Sequence, residues 1–314
     1  MQIIITDGYT LNPGDLSWET FEELGKLVIY ERTPENEVAA RCAGATVIIT
    51  NKTPITRATI QAATGLRLIA VTATGYNIVD TVAAREKGIA VCNVPEYGTD
   101  SVAQHAFALL LETANKVGMN ARSVREGDWV KSVDWCYSVA PLIELRDKIL
   151  GIVGFGRIGQ RTAELARAFG MRILFYGGRS RPEWAEAVSL QAVFEQADWI
   201  SLHCPLRPDN QGFVDRALLS RMKKTAYLIN TSRGQLINEA DLAEALNHGI
   251  LAGAALDVLS KEPPLESNPL LNALNCIITP HNAWSSFEAR KRLMQTTFEN
   301  VSAGLAGKPQ NVVN

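Results

Sequence analysis

Three glycines in Gly154-Phe155-Gly156-Arg157-Ile158-Gly159 stand directly after the apolar run 149–153 and directly before a segment of helical spacing. No other feature constrains the chain as much. An apolar run without alternation marks a strand buried on both faces, as in a parallel sheet covered by helices. Gly154 permits the tight turn and Gly156 lets a pyrophosphate approach the backbone. Gly159 allows helix and sheet to pack closely, with the helix N-terminus facing the phosphates. The helix is expected to carry Ile158, Thr162, Leu165 and Phe169 on one face. Such glycines also occur in ordinary turns, but strand, glycines, helix and second strand in that order point to a dinucleotide site.

The same alternation runs through the whole chain. Strand-like runs lie at 3–5, 27–30, 46–50, 67–72 and 89–92, with helical stretches such as 35–42 and 79–86 between them. After Pro95 a long helix is expected, with Val102, Ala106, Leu109, Leu110, Thr113 and Val117 at helical spacing. A second series begins at Lys148, with strands at 149–153, 171–176, 199–203, 226–230, 253–258 and 276–279, enough for a complete doubly wound sheet. Beyond His281, Ser285 and Glu288 form a capping-box pattern ahead of a helix through Phe287, Met294, Phe298 and Val301. At 314 residues this is an α/β chain of two domains of ordinary size.

Charge excludes some partners. With 31 basic against 33 acidic side chains there is no positive excess to offer nucleic acid. Hydrophobic residues at 46% and charged residues at 20% argue against disorder. No apolar run approaches the roughly 18 residues of a membrane helix, and the first six residues lack signal-peptide character, so a cytoplasmic protein is expected. Cys42, Cys92, Cys136, Cys204 and Cys276 are odd in number, far apart and never Cys-x-x-Cys. They read as reduced and mostly buried, with neither a disulfide framework nor a metal site.

About 20 residues after the glycines, a free ribose 2′-hydroxyl normally meets an Asp or Glu. Here the chain reads Tyr176-Gly177-Gly178-Arg179-Ser180-Arg181, with no acid between Arg172 and Arg181. Gly178, Arg179 and Ser180 can instead donate to a 2′-phosphate, so NADP is expected in preference to NAD. The plainer reading is a solvated basic loop.

Arg233, Glu262 and His281 each follow a strand of the second series, which puts all three at the carboxyl edge where such sheets bind ligands. Reduction of a carbonyl by hydride needs a proton for the nascent alkoxide. His281 held by Glu262 suits that role, and Arg233 can bind a carboxylate bidentately. Singly, each has an ordinary explanation: a surface cation, a loop carboxylate, a residue leading into a helix. His105 inside the long helix, His203 at a strand end and His248 in Asn-His-Gly read as structural.

The glycine turn, His203-Cys204-Pro205-Leu206, Asn230-Thr231-Ser232-Arg233-Gly234, Ala255-Leu256-Asp257-Val258 ahead of Glu262-Pro263, and Thr279-Pro280-His281 occur in that order. Together they resemble the D-isomer-specific 2-hydroxyacid dehydrogenase family over essentially the whole length. The resemblance implies two doubly wound parallel-sheet domains: a Rossmann nicotinamide-binding domain, about 100–284, inserted in a flavodoxin-like substrate domain, about 1–99 plus 285–314. It implies Arg233, Glu262 and His281 as the catalytic set, with Asp257 near the nicotinamide carboxamide. Thr99, Gly154, Gly156, Arg157, Ile158, Gly159, Cys204, Pro205, Thr231 and Ser232 would complete the cofactor site. Where the family commonly has Asp, this chain has Gly177, which bears on the NAD preference.

Within the family, the segments 7–15, 51–54, 73–77 and 97–105 resemble bacterial glycerate dehydrogenases, also called hydroxypyruvate reductases. This implies that N–H groups around Thr74 and Gly75 hold the substrate carboxylate. Lys52 is a further substrate-binding candidate, one that would favour a charged substituent on another 2-keto acid. Hydroxypyruvate and glyoxylate are the expected 2-keto acids, reduced to D-2-hydroxy acids as the domains close over the substrate. The loop 128–141 carries Trp129, Trp135 and Tyr137. In relatives this region forms a dimer arm, so a homodimer is expected and Trp135 is a substrate-site candidate; burial in its own subunit is the plainer expectation. Two rivals remain: the same chemistry on another 2-keto acid, and a nicotinamide-sensing corepressor-like binding protein.

Overall fold

The β-branched runs of the first series pair side by side as five parallel strands. In the computed structural model, which describes residues 1–314, these are β1 (Gln2–Ile5), β2 (Lys26–Ile29), β3 (Val47–Thr50), β4 (Leu68–Val71) and β5 (Ala90–Cys92). Their order is β2-β1-β3-β4-β5, the flavodoxin-like arrangement. They belong to a unit made of Met1–Gly98 and Trp284–Asn314. β3 and β4 are buried at every position, as non-alternating runs require.

The free edge of β5 is closed by the C-terminal tail. Val313 N–H donates to Val91 O at 2.9 Å, and Val91 N–H donates to Asn314 Oδ1 at 2.9 Å. The helix Phe287–Leu305 is capped by Ser286, whose hydroxyl accepts from Ala289 N–H, one residue later than the Ser285/Glu288 pattern predicts. Ser285 instead offers its carbonyl to Nε of Arg290, whose guanidinium is held by both oxygens of Asp15 at 2.7 and 2.6 Å.

The second unit, Thr99–Ala283, holds β6 (Ile149–Val153), β7 (Arg172–Tyr176), β8 (Glu186–Ala187), β9 (Trp199–Leu202), β10 (Tyr227–Asn230), β11 (Gly253–Leu256) and β12 (Cys276–Ile278). All are parallel, in the order β12-β11-β10-β9-β6-β7-β8, so the sheet has one short strand more than the six expected. The order reverses between β6 and β9, which is the Rossmann arrangement and its ligand-binding switch point.

Two helices depart from their predicted faces. The helix Thr99–Asn115 stops before Val117, because Lys116 takes a left-handed φ of 52°; Val117 opens a new helix and is exposed. The helix Arg157–Ala168 buries Gly159, Thr162, Ala163 and Ala166, whereas Ile158 and Leu165 are half-buried and Phe169 is an exposed cap. Small residues win that face because the helix lies so near the sheet: a Cβ on Gly159 would stand 2.3 Å from Gly154 O. No helix is long and apolar enough to cross a membrane.

Candidate active site

Strand register places the site. Val153 pairs with Leu202, Leu202 with Asn230, Asn230 with Leu256, and Leu256 with Ile278. The next residue of each strand, Gly154, His203, Thr231, Asp257 and Thr279, therefore forms one row along the carboxyl edge. Val153 also pairs with Tyr176, which brings Gly177 into the row.

At the switch point the row is tight. Gly154 has φ 98°, and a Cβ there would stand 2.4 Å from Cys204 N and 2.6 Å from the His203 carbonyl carbon. Gly156 differs: a Cβ on it would meet nothing within 4 Å, and as helix N-cap it offers no side-chain acceptor. The N–H groups of Ile158 and Gly159, in the first turn of the helix, are thus left to an anion. Thr231 Oγ1 is buried without a partner in the same row. An uncapped helix N-terminus, open space over Gly156 and an orphaned hydroxyl fit a bound dinucleotide. Pro205 and Ser232 flank the row; Ser232 Oγ–H donates to Leu202 O at 2.7 Å.

The loop after β7 is built on two left-handed glycines, Gly177 (φ 78°) and Gly178 (φ 84°). Arg181 folds back on it: Nη1 donates to Gly178 O at 3.0 Å and Ser180 O at 2.8 Å, with the guanidinium over Phe175. Arg179 is exposed and Ser180 half-buried.

At the other end of the row lie the catalytic candidates. His281 Nδ1 is 2.5 Å from Glu262 Oε2, so Nδ1–H donates to the carboxylate and Nε2 is the ring atom that can hand a proton outward. Glu262 Oε1 accepts from Leu259 N–H at 3.0 Å. His281 sits at a left-handed φ of 50°, with its N–H on Asp257 O at 2.8 Å. It does not lead into a helix, since the next one begins at Phe287. Arg233 follows β10, half-buried, with Asn230 Nδ2 donating to its carbonyl and its own Nη1 donating to Ser232 O.

Asp257, expected beside the nicotinamide carboxamide, is 1% exposed. Its carboxylate accepts from Thr279 Oγ1 (2.6 Å), Asn282 N (3.0 Å) and Ala283 N (2.9 Å), which pins the turn that carries His281. Because Thr279 Oγ1 donates to Asp257, it accepts from Nε2–H of His105 at 3.1 Å. His105 is therefore tied to this turn, a link its place in an apolar helix gave no means of reading. Glu239 does the same for the Glu262 loop, accepting from Ser260 N and Ser260 Oγ at 2.6 and 2.7 Å. The remaining strand-end histidine, His203, is half-buried, and desolvation of its ring pushes its pKa down to about 4. Its Nε2 meets Ser201 Oγ at 2.8 Å and its Nδ1 has no partner.

In the first unit, Thr74 and Gly75 form the turn after β4, and Lys52 is exposed on a loop whose backbone is gathered by the buried carboxylate of Asp7. That carboxylate accepts from Asn51, Lys52 and Thr53 N–H at 2.9, 2.6 and 2.9 Å. Thr99 begins the long helix of the second unit. Trp135 corrects the expectation of burial: it is 86% exposed, its neighbour Val133 is 98% exposed, and Cys136 is exposed beside them. Trp129 Nε1 donates to Trp135 O at 3.0 Å, so the arm is ordered by its own contacts while the Trp135 ring stays largely uncovered.

The family model for the D-isomer specific 2-hydroxyacid dehydrogenase, NAD binding domain, matches residues 107–283. A hydroxypyruvate reductase of Blautia hydrogenotrophica is 47% identical over all of both chains. A glycerate dehydrogenase of Methylorubrum extorquens is 41% identical over 90% of this chain and 89% of its own. Among solved structures, an acyclic imino acid reductase in complex with NADPH and D-Arg superposes with a TM-score of 0.87 at 32% identity, covering both chains fully. With more than half its length under the family model and a full-length relative at this identity, the chain belongs to the D-isomer-specific 2-hydroxyacid dehydrogenase family.

Proposed function

We propose that this NAD(P)-dependent oxidoreductase reduces hydroxypyruvate, and glyoxylate beside it, to D-glycerate and glycolate. The single observation that carries the chemistry is the His281–Glu262 pair on the same strand-end row as the glycine turn. When bound, a reduced nicotinamide supplies the hydride. His281 Nε2 delivers the proton to the oxygen that takes up the electron pair, and Glu262 holds the ring so that Nε2 faces outward. Arg233 binds the substrate carboxylate and polarises the neighbouring carbonyl, with the Thr74–Gly75 N–H groups as further donors to the carboxylate. Lys52 is assigned a role beside the substrate's substituent. Relatives named hydroxypyruvate reductase and glycerate dehydrogenase support the choice of substrate.

Thr99–Ala283 is assigned the nicotinamide cofactor and the other unit the keto acid. NADPH is assigned over NADH on the acid-free loop 177–181. A homodimer is assigned on the arm with Val130, Val133 and Trp135, whose uncovered apolar side chains suit a second copy and would carry Trp135 toward its site. Free cysteines throughout accord with a reducing, cytoplasmic setting.

Steady-state rates on hydroxypyruvate, glyoxylate and pyruvate with each cofactor, with chiral analysis of the product, test the assignment. Hydroxypyruvate should give the highest kcat/KM and only the D product, since its hydroxyl gives the pocket a handle that pyruvate lacks. Equal kcat/KM for hydroxypyruvate and pyruvate refutes it.

A further inference from the structure

Amide side chains run in a line from the C-terminal tail to the turn at Thr74. Nδ2 of Asn311 donates to Oδ1 of Asn300 at 2.8 Å, and Nδ2 of Asn300 donates to Asn93 O at 2.8 Å. Nδ2 of Asn93 in turn donates to Thr74 O at 2.7 Å. Asn300 is fully buried inside the helix Phe287–Leu305, and Asn93 is buried just past β5. The tail closes the circuit, because Asn93 N–H donates to Asn311 O at 3.1 Å. Two more bonds fasten the turn itself: Thr74 Oγ1–H to Val94 O at 2.9 Å and Val94 N–H to Ala73 O at 3.0 Å.

This wiring has a directional consequence. In a trans peptide the carbonyl and the N–H point to opposite sides. With Thr74 O drawn onto Asn93 Nδ2, the N–H of Gly75 must face away from Asn93. Neither Thr74 N–H nor Gly75 N–H finds an acceptor in the chain. Three amide side chains, two buried and one on the tail, are thus spent on fixing the orientation of one peptide whose donor stays unused.

We propose that Asn93, Asn300 and Asn311 are positioning residues for substrate: they aim the Thr74–Gly75 N–H groups at the keto acid's carboxylate and couple the order of the C-terminal tail to substrate affinity. This rests on the reading, given above, that the turn binds that carboxylate. The relay touches neither the glycine turn nor His281. Its loss should therefore appear in the KM for the keto acid and not in cofactor binding, which a general loosening of the fold would not achieve.

The test uses the full-length protein, with hydroxypyruvate as the varied substrate, cofactor affinity by fluorescence titration, and thermal melts. Asn93→Ala should raise the hydroxypyruvate KM by about tenfold to a hundredfold, the range for a misaimed hydrogen bond to a charged group, with the cofactor Kd unchanged. Asn311→Ala, at the exposed outer end, should raise KM in the same direction by a smaller factor, and it serves if Asn93→Ala does not fold. Gly75→Pro, which deletes the donor itself, separates the two ideas. A raised KM in Gly75→Pro with an unchanged KM in folded Asn93→Ala and Asn311→Ala overturns the relay and leaves the carboxylate reading standing. An unchanged KM in all three overturns both. Parallel rises in substrate KM and cofactor Kd also overturn the relay.

Discussion

The loop after β7 makes the sharpest prediction, because an acid at position 177 would reverse it. Gly177 has no side chain to accept from ribose hydroxyls, and Gly178 could carry none, since a Cβ there would stand 2.6 Å from Phe155 O. Arg179 is the nearest cation whose donors the loop does not use; Arg181 already spends Nη1 on Gly178 O and Ser180 O. A charge-assisted hydrogen bond contributes about 1.5–3 kcal/mol, and solvent exposure of Arg179 pulls the expected value just below that range, to about 1.4 kcal/mol or tenfold in affinity. The parent enzyme should therefore favour NADPH over NADH by about tenfold in kcat/KM, and Arg179→Ala should abolish most of that factor. Arg181→Ala should weaken both cofactors alike by loosening the loop. Gly177→Asp should turn the preference toward NADH, since Asp tolerates a left-handed φ and its carboxylate repels a 2′-phosphate. The assay is kcat/KM for each cofactor at saturating hydroxypyruvate, repeated at rising salt, where the NADPH advantage should shrink. A parent that prefers NADH refutes the reasoning, as does an unchanged ratio in both arginine variants.

The other predictions follow from single contacts. His281→Asn should lower kcat by about 10²–10⁴ with cofactor binding near normal, and a loss below tenfold in pre-steady-state hydride transfer would count against His281 as the acid. Gly156→Ala should keep the parent melting temperature and lose cofactor affinity, because its Cβ meets only open space; Gly154→Ala, whose Cβ meets backbone, should cost about 2–4 kcal/mol of stability in urea unfolding. With a pKa pushed from 6.5 to about 4 by burial, His203 binds its proton more readily unfolded than folded. Stability should therefore be full above about pH 6.5 and fall by up to about 3 kcal/mol toward pH 4. His203→Gln should flatten that part of the profile, and an unflattened profile would mean that other groups cause the acid loss.

What could be read in the sequence is what local physics determines. Both sheets and the edge of the site were legible because strands buried on both faces leave unbroken apolar runs, and because a strand's end fixes where the next residue emerges. Arg233, Glu262 and His281, the residues proposed for catalysis, are placed this way, each after a strand whose end is in register with its neighbour's. Helix faces were less legible: Val117 and Phe169 fit the spacing, but a left-handed Lys116 and the closeness of Gly159 to the sheet decide which residues are buried. Trp135 shows a second limit, since composition tells that an aromatic ring wants cover but not which chain supplies it.

The third limit is sequence distance, and it falls on the residues that hold the site in shape. His105 and Thr279 are 174 positions apart, and Asn93 and Asn300 are 207 apart. Nothing in the neighbourhood of either asparagine distinguishes it from a surface amide. Glycines and strand ends announce a ligand because the backbone itself does the binding there. The groups that aim that backbone are chosen by topology, so a helix from the far end of the chain can set the direction of one N–H at Gly75 while its own sequence reads only as an amphipathic surface.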